Sequence, residues 1–298
     1  MEKNEKTTKK KEKRKFNIYK LFTVLLAAIL LVIVGYMLRN WIVERNAQKQ
    51  NEDLAASVNR LQNQVSDNAI TPAGDRQDAS TEVMETETED AQEESDSAIA
   101  GVDIPQKQLD WNELAKVNPD IYAWIYIPGT KVDYPVLIGD TQQEYLKKDF
   151  ENKTNDLGSI FAFQDVELNQ DFHVCLYGHN MISGQMFGGL KLYREEKYAR
   201  SHEKAYLYTK ERTKELEILS VFLCENTDEI FEMGEKTWEY SKTEEIVRNL
   251  KNRSLIDLEI SKKKTAQIFT FVTCYGKAGG TKRLVLNFGL IREKFMMQ

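Results

Sequence analysis

The pattern of apolar and polar positions divides the chain into three parts. An uncharged apolar run extends from Leu21 to Leu38. Large apolar residues are then scarce until about residue 103, after which short apolar runs follow in quick succession. The pattern therefore predicts one membrane-length helix, a polar spacer and one folded region.

The first apolar run predicts a transmembrane anchor at residues 21–38. As a helix it would be about 27 Å long, close to the ~30 Å hydrocarbon core of a bilayer. The preceding basic tail, residues 1–20, has nine Lys or Arg against three Glu, which predicts a cytoplasmic N-terminus. A cleaved signal peptide is the alternative, but Leu38 leads into Arg39-Asn40-Trp41 rather than a small-residue cleavage site. We predict a single-pass protein of the cell membrane whose remaining residues are extracellular.

Two connecting segments follow the anchor. In residues 39–65, apolar residues recur with 4-3-4 spacing at Leu54, Val58, Leu61 and Val65, which fits a short coiled-coil stalk or a solvated helix. Residues 66–103 are rich in Ser, Thr, Asp and Glu. Such a composition predicts an acidic, disordered linker that holds a domain away from the membrane.

The folded region, residues 104–298, is predicted to be mainly β. Turn signals such as Pro128-Gly129-Thr130 separate several of its apolar runs. The predicted strands are 122–127, 131–136, 158–163, 172–177, 205–209, 215–223, 268–274 and 283–288. The predicted helices are 108–117, 185–193 and 243–250, the last behind a Ser241-x-x-Glu244 capping box. About eight short strands with few helices favour a β-barrel or a sandwich.

Charge and cysteine content narrow the classes of function. The basic cluster is terminal and lacks interleaved aromatic residues, so we expect no nucleic-acid partner. Three cysteines, Cys175, Cys224 and Cys274, lie in the predicted extracellular part. An odd number cannot pair completely within one chain, so at least one thiol is free or pairs between chains. A Cys175–Cys224 disulfide is one alternative.

Three residues at strand ends have the side chains needed for acyl transfer. Cys274 ends one strand before a Gly-rich loop, Arg283 opens the next strand, and His179 follows the strand 172–177. A thiol is a nucleophile, an imidazole an acid and base, and a guanidinium can stabilise an oxyanion. The alternatives are a buried structural cysteine, a loop histidine bonded to the backbone and a solvated edge-strand arginine.

These residues lie in segments that resemble the sortases, and specifically class B, over residues 109–291. Thr270-Phe271-Val272-Thr273-Cys274 resembles the TLxTC signature of the family, with Phe271 in place of Leu. Arg283 lies where the family arginine opens the next strand, and Tyr177-Gly178-His179-Asn180-Met181 resembles the histidine segment. Several other stretches, including Trp124 to Thr130 and Met186 to Leu190, are similar to class B.

The resemblance implies an eight-stranded sortase-type β-barrel with peripheral helices. It implies Cys274 as the nucleophile, His179 as acid and base, and Arg283 as the stabiliser. The expected reaction cleaves a C-terminal sorting signal after Thr through a thioester and passes the acyl group to an amine. No cofactor and no metal are expected. The expected partners are surface proteins with a sorting signal, a peptidoglycan cross-bridge amine or a pilin Lys, and the membrane.

Four further residues are candidates for substrate binding. Tyr177, Asn180 and Thr273 lie in the segments that resemble the family, and Cys224 ends a strand where it could face a groove.

Three alternative functions remain open at this stage. The enzyme could be a hydrolytic cysteine protease that uses water as the acceptor, or a pilin-polymerising sortase with a Lys acceptor. The N-terminal half alone would also suit a non-catalytic, membrane-tethered scaffold. Each alternative predicts a different result for a Cys274→Ala variant or for an added amine.

Overall fold

A computed structural model of the chain describes residues 19–43, 45, 46, 49, 53, 104–141, 143–232, 243–258, 265–276 and 279–296. The acidic linker, nearly all of the basic tail, most of the stalk and the capping residue Ser241 lie outside the described residues. Two compact units are distinguished, one with the N-terminal helix and one with the barrel.

The N-terminal unit contains helix α1, Tyr19–Val43. Its 25 residues give a length of about 37 Å at 1.5 Å per residue, and its apolar side chains are exposed. Among the described residues it is the one helix long and apolar enough to cross a membrane. It includes the predicted segment 21–38 and extends beyond both of its ends.

The second unit is a closed barrel of eight strands in the order β1-β2-β3-β4-β7-β8-β6-β5. β2 runs parallel to β3 and β4 parallel to β7, and the other neighbours are antiparallel. The strands are β1 Ile121–Tyr126, β2 Asp133–Ile138, β3 Ile160–Ala162, β4 His173–Tyr177, β5 Lys204–Thr209, β6 Arg212–Glu225, β7 Ile268–Cys274 and β8 Lys282–Phe295.

Large apolar side chains fill the barrel because alternate residues of each strand point inward. In β7, Phe269 and Phe271 are fully buried. The ring of Phe271 stacks on Phe288 of β8 at 4.7 Å and on Phe187 at 5.6 Å between centroids. These contacts fix the rotation of β7 and therefore decide which of its residues point outward.

Short helices cover two outer faces of the barrel. The helices are α2 Trp111–Val117, α3 Glu196–Ser201 and α4 Thr243–Asn252, with 3-10 helices at Glu144–Leu146, Gly188–Arg194 and Glu229–Phe231. Residues 104–114 cover the outer face of β1, β2 and β5. α4 and the last 3-10 helix cover the outer face of β4, β7, β8 and β6.

All eight predicted strands are present, with ends shifted by at most three residues except that β8 continues seven residues beyond its predicted end. The segment predicted as a helix at 185–193 is instead a 3-10 helix at Gly188–Arg194. Its start packs tightly, since a Cβ at Gly188 would lie 2.1 Å from the carbonyl oxygen of Met181. α3 and the two shorter 3-10 helices were not predicted, because segments of three to six residues give little periodicity.

A buried chain of hydrogen bonds joins the four strands beneath α4. His173 Nε2 lies 2.7 Å from Thr270 Oγ1, and Thr270 Oγ1 donates to Asn287 Oδ1 at 2.6 Å. Asn287 Nδ2 donates to Ser220 Oγ at 2.9 Å. Because the Thr270 hydroxyl gives its only hydrogen to Asn287, it accepts from His173. His173 is therefore a structural hydrogen-bond donor.

The first prediction is that His173 makes stability depend on pH. Burial lowers the pKa of its imidazole to about 4, from an ordinary value of 6.5. As the pH falls, the unfolded chain therefore binds the proton first, and stability is lost between about pH 6.5 and pH 4. The difference in pKa corresponds to about 3 kcal/mol.

Denaturant titrations of the barrel domain at pH 7, 5.5 and 4 measure this effect. His173→Gln keeps a polar side chain but cannot titrate, so we expect a lower stability at pH 7 and a smaller loss on acidification than in the wild type. Equal losses in the two proteins would contradict the assignment.

Candidate active site

The pairing of β4, β7 and β8 brings the segments of the three candidate catalytic residues to one end of the barrel. β4 and β7 are parallel, with Tyr177 opposite Val272. Two residues beyond this pair, β7 ends at Cys274, and His179 follows the end of β4. On the other side of β7, Cys274 is opposite Arg283 of β8. Since neighbouring strands are about 4.8 Å apart, residues separated by more than 90 positions in sequence become neighbours at one end of the barrel.

Cys274 is the exposed thiol among three free cysteines. It is the last residue of β7. Cys224 is 9% exposed, and burial raises the pKa of its thiol to about 11. Burial raises the pKa of the half-buried Cys175 to about 12. No disulfide joins Cys175 to Cys224. Because only a thiolate reacts as a nucleophile, the exposed Cys274 is the candidate nucleophile among the three.

The ring of His179 is held by a main-chain carbonyl. Its Nε2 atom lies 2.7 Å from the carbonyl oxygen of Leu146. A carbonyl oxygen can only accept, so Nε2 carries the hydrogen and Nδ1 of the neutral ring is left as the basic atom. The sequence did not indicate Leu146, because a main-chain contact has no signature in residue type.

The Leu146 carbonyl is itself fixed by its buried neighbour Tyr145. The hydroxyl of Tyr145 donates to Asp120 Oδ2 at 2.6 Å and accepts from Asn118 Nδ2 at 2.9 Å. Burial, followed by the bond to Asp120, raises the pKa of Tyr145 well above its usual value. Asn118 and Asp120 lie between α2 and β1, so the end of α2 and the position of the histidine ring are connected through Tyr145.

Arg283 is half-buried at the start of β8, and its side chain is bonded to the preceding loop. Its Nη1 atom donates to the carbonyl oxygens of Gly280 at 2.8 Å and Lys282 at 3.0 Å. Cys224 of β6 is opposite Arg283 in the sheet. The guanidinium is therefore fixed by main-chain acceptors of the loop, on the residue that is paired with Cys274.

The predicted substrate-binding residues lie near the three candidate catalytic residues, in different environments. The half-buried Tyr177 stacks on Phe163 with ring centroids 4.5 Å apart, and burial raises the pKa of its hydroxyl. Thr273 is buried, and its hydroxyl donates to the carbonyl oxygen of Gly178 at 2.7 Å. Asn180 Nδ2 donates to the carbonyl oxygen of Cys274 at 2.8 Å. Cys224 is buried beside Arg283.

Next to the candidate catalytic residues, the outer face of the barrel is apolar and is covered by α4. Val272 and Val285 lie one step below Cys274 and Arg283, and both belong to a cluster completed by Leu250 of α4 and Ile230. A peptide with an apolar segment next to its reacting carbonyl would suit this combination of apolar and polar surface. Among the described residues, no group of three or more His, Cys, Asp or Glu is arranged to hold a metal ion.

Comparisons with known proteins bear on the family and the fold of the chain. Residues 125–288 match the family model described as Sortase domain. The chain is 29% identical over 187 residues to sortase B of Staphylococcus aureus, which covers 61% of this chain and 75% of that protein.

Solved structures give the same result. The Staphylococcus aureus sortase B-substrate complex has a TM-score of 0.56 at 28% identity and covers 61% of this chain and 84% of that chain. Sortase B of Clostridium perfringens has a TM-score of 0.56 at 28% identity, covering 61% of this chain and 99% of that chain.

The eight-stranded barrel, the family match over more than half of the residues and the similarity to these proteins lead to one conclusion. The chain belongs to the sortase family, in class B.

Proposed function

We propose that this protein is a membrane-anchored cysteine transpeptidase that cleaves a C-terminal sorting signal after Thr and joins the protein to an amine of the cell wall. The observation that supports the proposal best is the pairing of Cys274 with Arg283 at the end of the barrel where β4, the parallel neighbour of β7, leads into His179. Cys274 is the nucleophile, His179 the acid and base, and Arg283 the stabilising cation.

The reaction has two acyl-transfer steps. The thiolate of Cys274 attacks the Thr carbonyl carbon, the C–N bond breaks, and the proton on His179 Nδ1 passes to the leaving amine. The acceptor amine then attacks the thioester, its proton returns to His179, and the thiolate leaves.

Arg283 supports the thiolate and the oxyanion of the tetrahedral intermediate. The main-chain N–H of Tyr275, next to the nucleophile, already donates to the carbonyl oxygen of Lys282 at 3.0 Å. A side-chain donor is therefore needed at the carbonyl oxygen of the substrate. A guanidinium keeps its charge at all relevant pH values and presents several donors in fixed geometry.

The sorting signal would lie on the apolar outer face between β7 and α4. The similar Staphylococcus aureus protein was solved in complex with a substrate, which supports a peptide groove in this family. By resemblance we expect an Asn-Pro-x-Thr type of signal. Helix α1, with the basic residues before it, would anchor the enzyme with its N-terminus in the cytoplasm.

The second prediction concerns the nucleophile. Cys274→Ala should abolish the covalent adduct with a sorting peptide and lower transfer by more than about 10³-fold, measured by mass spectrometry and product formation. Cys175→Ala is the matched control because this thiol is poorly exposed and is not one of the candidate catalytic residues. The assignment fails if Cys274→Ala retains transfer or if Cys175→Ala loses it equally.

The third prediction concerns the cation. Arg283→Ala should lower kcat by about 10²- to 10³-fold, the effect of losing an oxyanion donor, and Arg283→Lys should retain part of the rate. Lys282→Ala removes the same charge from the neighbouring, exposed position and should keep nearly all activity. Steady-state kinetics of the three variants decide the matter, since equal losses at both positions would indicate a general charge effect instead.

The fourth prediction distinguishes transfer from hydrolysis. A sorting peptide incubated with the enzyme and a short oligoglycine or hydroxylamine should give the amine adduct, and total turnover should rise with amine concentration. Mass spectrometry separates the adduct from the free acid. Formation of the free acid alone at tens of millimolar amine would identify a protease that uses water.

A further inference from the structure

The pairing of β4 with β7 continues beyond the end of β4. The strand ends at Tyr177, and the N–H of Gly178 then donates to the Val272 carbonyl oxygen at 3.1 Å. The next two bonds come from side chains, one on each segment. Thr273 Oγ1 donates to the Gly178 carbonyl oxygen at 2.7 Å, and Asn180 Nδ2 donates to the Cys274 carbonyl oxygen at 2.8 Å. Hydrogen bonds from side chains thus replace the main-chain bonds of the sheet beyond the end of β4, where the two backbones separate.

His179 lies between two attachment points on β7. Gly178 before it and Asn180 after it are both bonded to β7, while its own carbonyl oxygen accepts from the N–H of Phe187 at 3.1 Å. The ring is bonded to Leu146. The contact from Asn180 is the one that reaches the nucleophilic residue itself. Without it, the hydrogen bonds described from residues 178–180 to β7 would be those of Gly178 alone.

We propose that Asn180 is a positioning residue, whose amide fixes the histidine segment to the main chain of Cys274 and thereby sets the distance between the imidazole and the thiol. This role rests on the proposed function. It differs from substrate binding, because the amide hydrogen is directed at a carbonyl oxygen of the enzyme.

The bond geometry gives this contact a mechanical effect on catalysis. The amide nitrogen is bonded to the Cys274 carbonyl, two covalent bonds from the Cα that bears the reactive side chain. Asn180 is adjacent to His179 in the chain. One hydrogen bond therefore couples the two reacting residues, and a displacement of about 1 Å between reacting groups can cost about 10²-fold in rate.

The fifth prediction tests this role with the folded barrel domain and two readouts. Asn180→Ala should lower kcat with a sorting peptide by about 10- to 100-fold and leave KM within about twofold. The alkylation of Cys274 by iodoacetamide, which reacts with the thiolate, should be several-fold slower than in the wild type at pH 7. At pH 10, where the thiol is ionised without help from an imidazolium, the two rates should be equal.

Two further variants make the result specific. In Asn180→Asp the side chain keeps its shape, but the carboxylate cannot donate to the Cys274 carbonyl, so this variant should show the same defects as Asn180→Ala. It keeps the test valid if the loss of side-chain volume in Asn180→Ala perturbs folding. Ser183→Ala removes a hydrogen bond to Gln185 within the same loop that does not reach β7, and it should match the wild type.

Each outcome has one interpretation. A raised KM with unchanged alkylation at both pH values would show that Asn180 binds substrate, and it would overturn the positioning role. Slower alkylation at both pH values would show a loss of exposure or structure, which also overturns it. Wild-type transfer that survives complete alkylation of Cys274 would instead overturn the proposed function, so the two failures are distinguishable.

Discussion

The parallel pairing of β4 with β7 is the constraint on which the site depends. Among the described residues, the two strands are separated in sequence by β5, β6, two α-helices and two 3-10 helices, and their carboxyl ends meet at one edge of the barrel. A shift of one residue in this register would turn every side chain of β7 to the opposite face. Cys274 would then point into the barrel, and His179 would lie opposite a different residue.

Two kinds of interaction fix this register. Inside the barrel, Phe271 packs between Phe187 and Phe288, which leaves little freedom for a shift of β7. Outside it, the buried chain from His173 through Thr270 and Asn287 to Ser220 crosses β4, β7, β8 and β6. A change of register would leave these buried polar groups without partners, at a cost of about 1–3 kcal/mol for each. Three of these strands hold Cys274, Arg283 and Cys224 opposite one another, and His179 follows the end of the fourth, β4.

The three cysteine thiols differ in exposure, and this difference separates the two buried thiols from the candidate nucleophile. Cys175 and Cys224 point to the same outer side of the sheet as Cys274, but the cluster beneath α4 includes both of them. Burial keeps them in the thiol form at neutral pH. Cys274 lies beyond this cover and is exposed. The end of the covered region therefore determines which cysteine can react.

The number and approximate position of the strands, and the three residue types suited to acyl transfer, could be predicted from the sequence alone. Alternation of apolar residues and turn signals are local properties, so they can be read from short windows. The choice between a barrel and a sandwich, the roles of Leu146 and Tyr145 in holding His179, and the contact of Asn180 with Cys274 were decided by the tertiary structure. These contacts join residues 25 to 94 positions apart, and two of them use main-chain atoms, which every residue has. Only the packing of the closed barrel determines which of these identical groups meet.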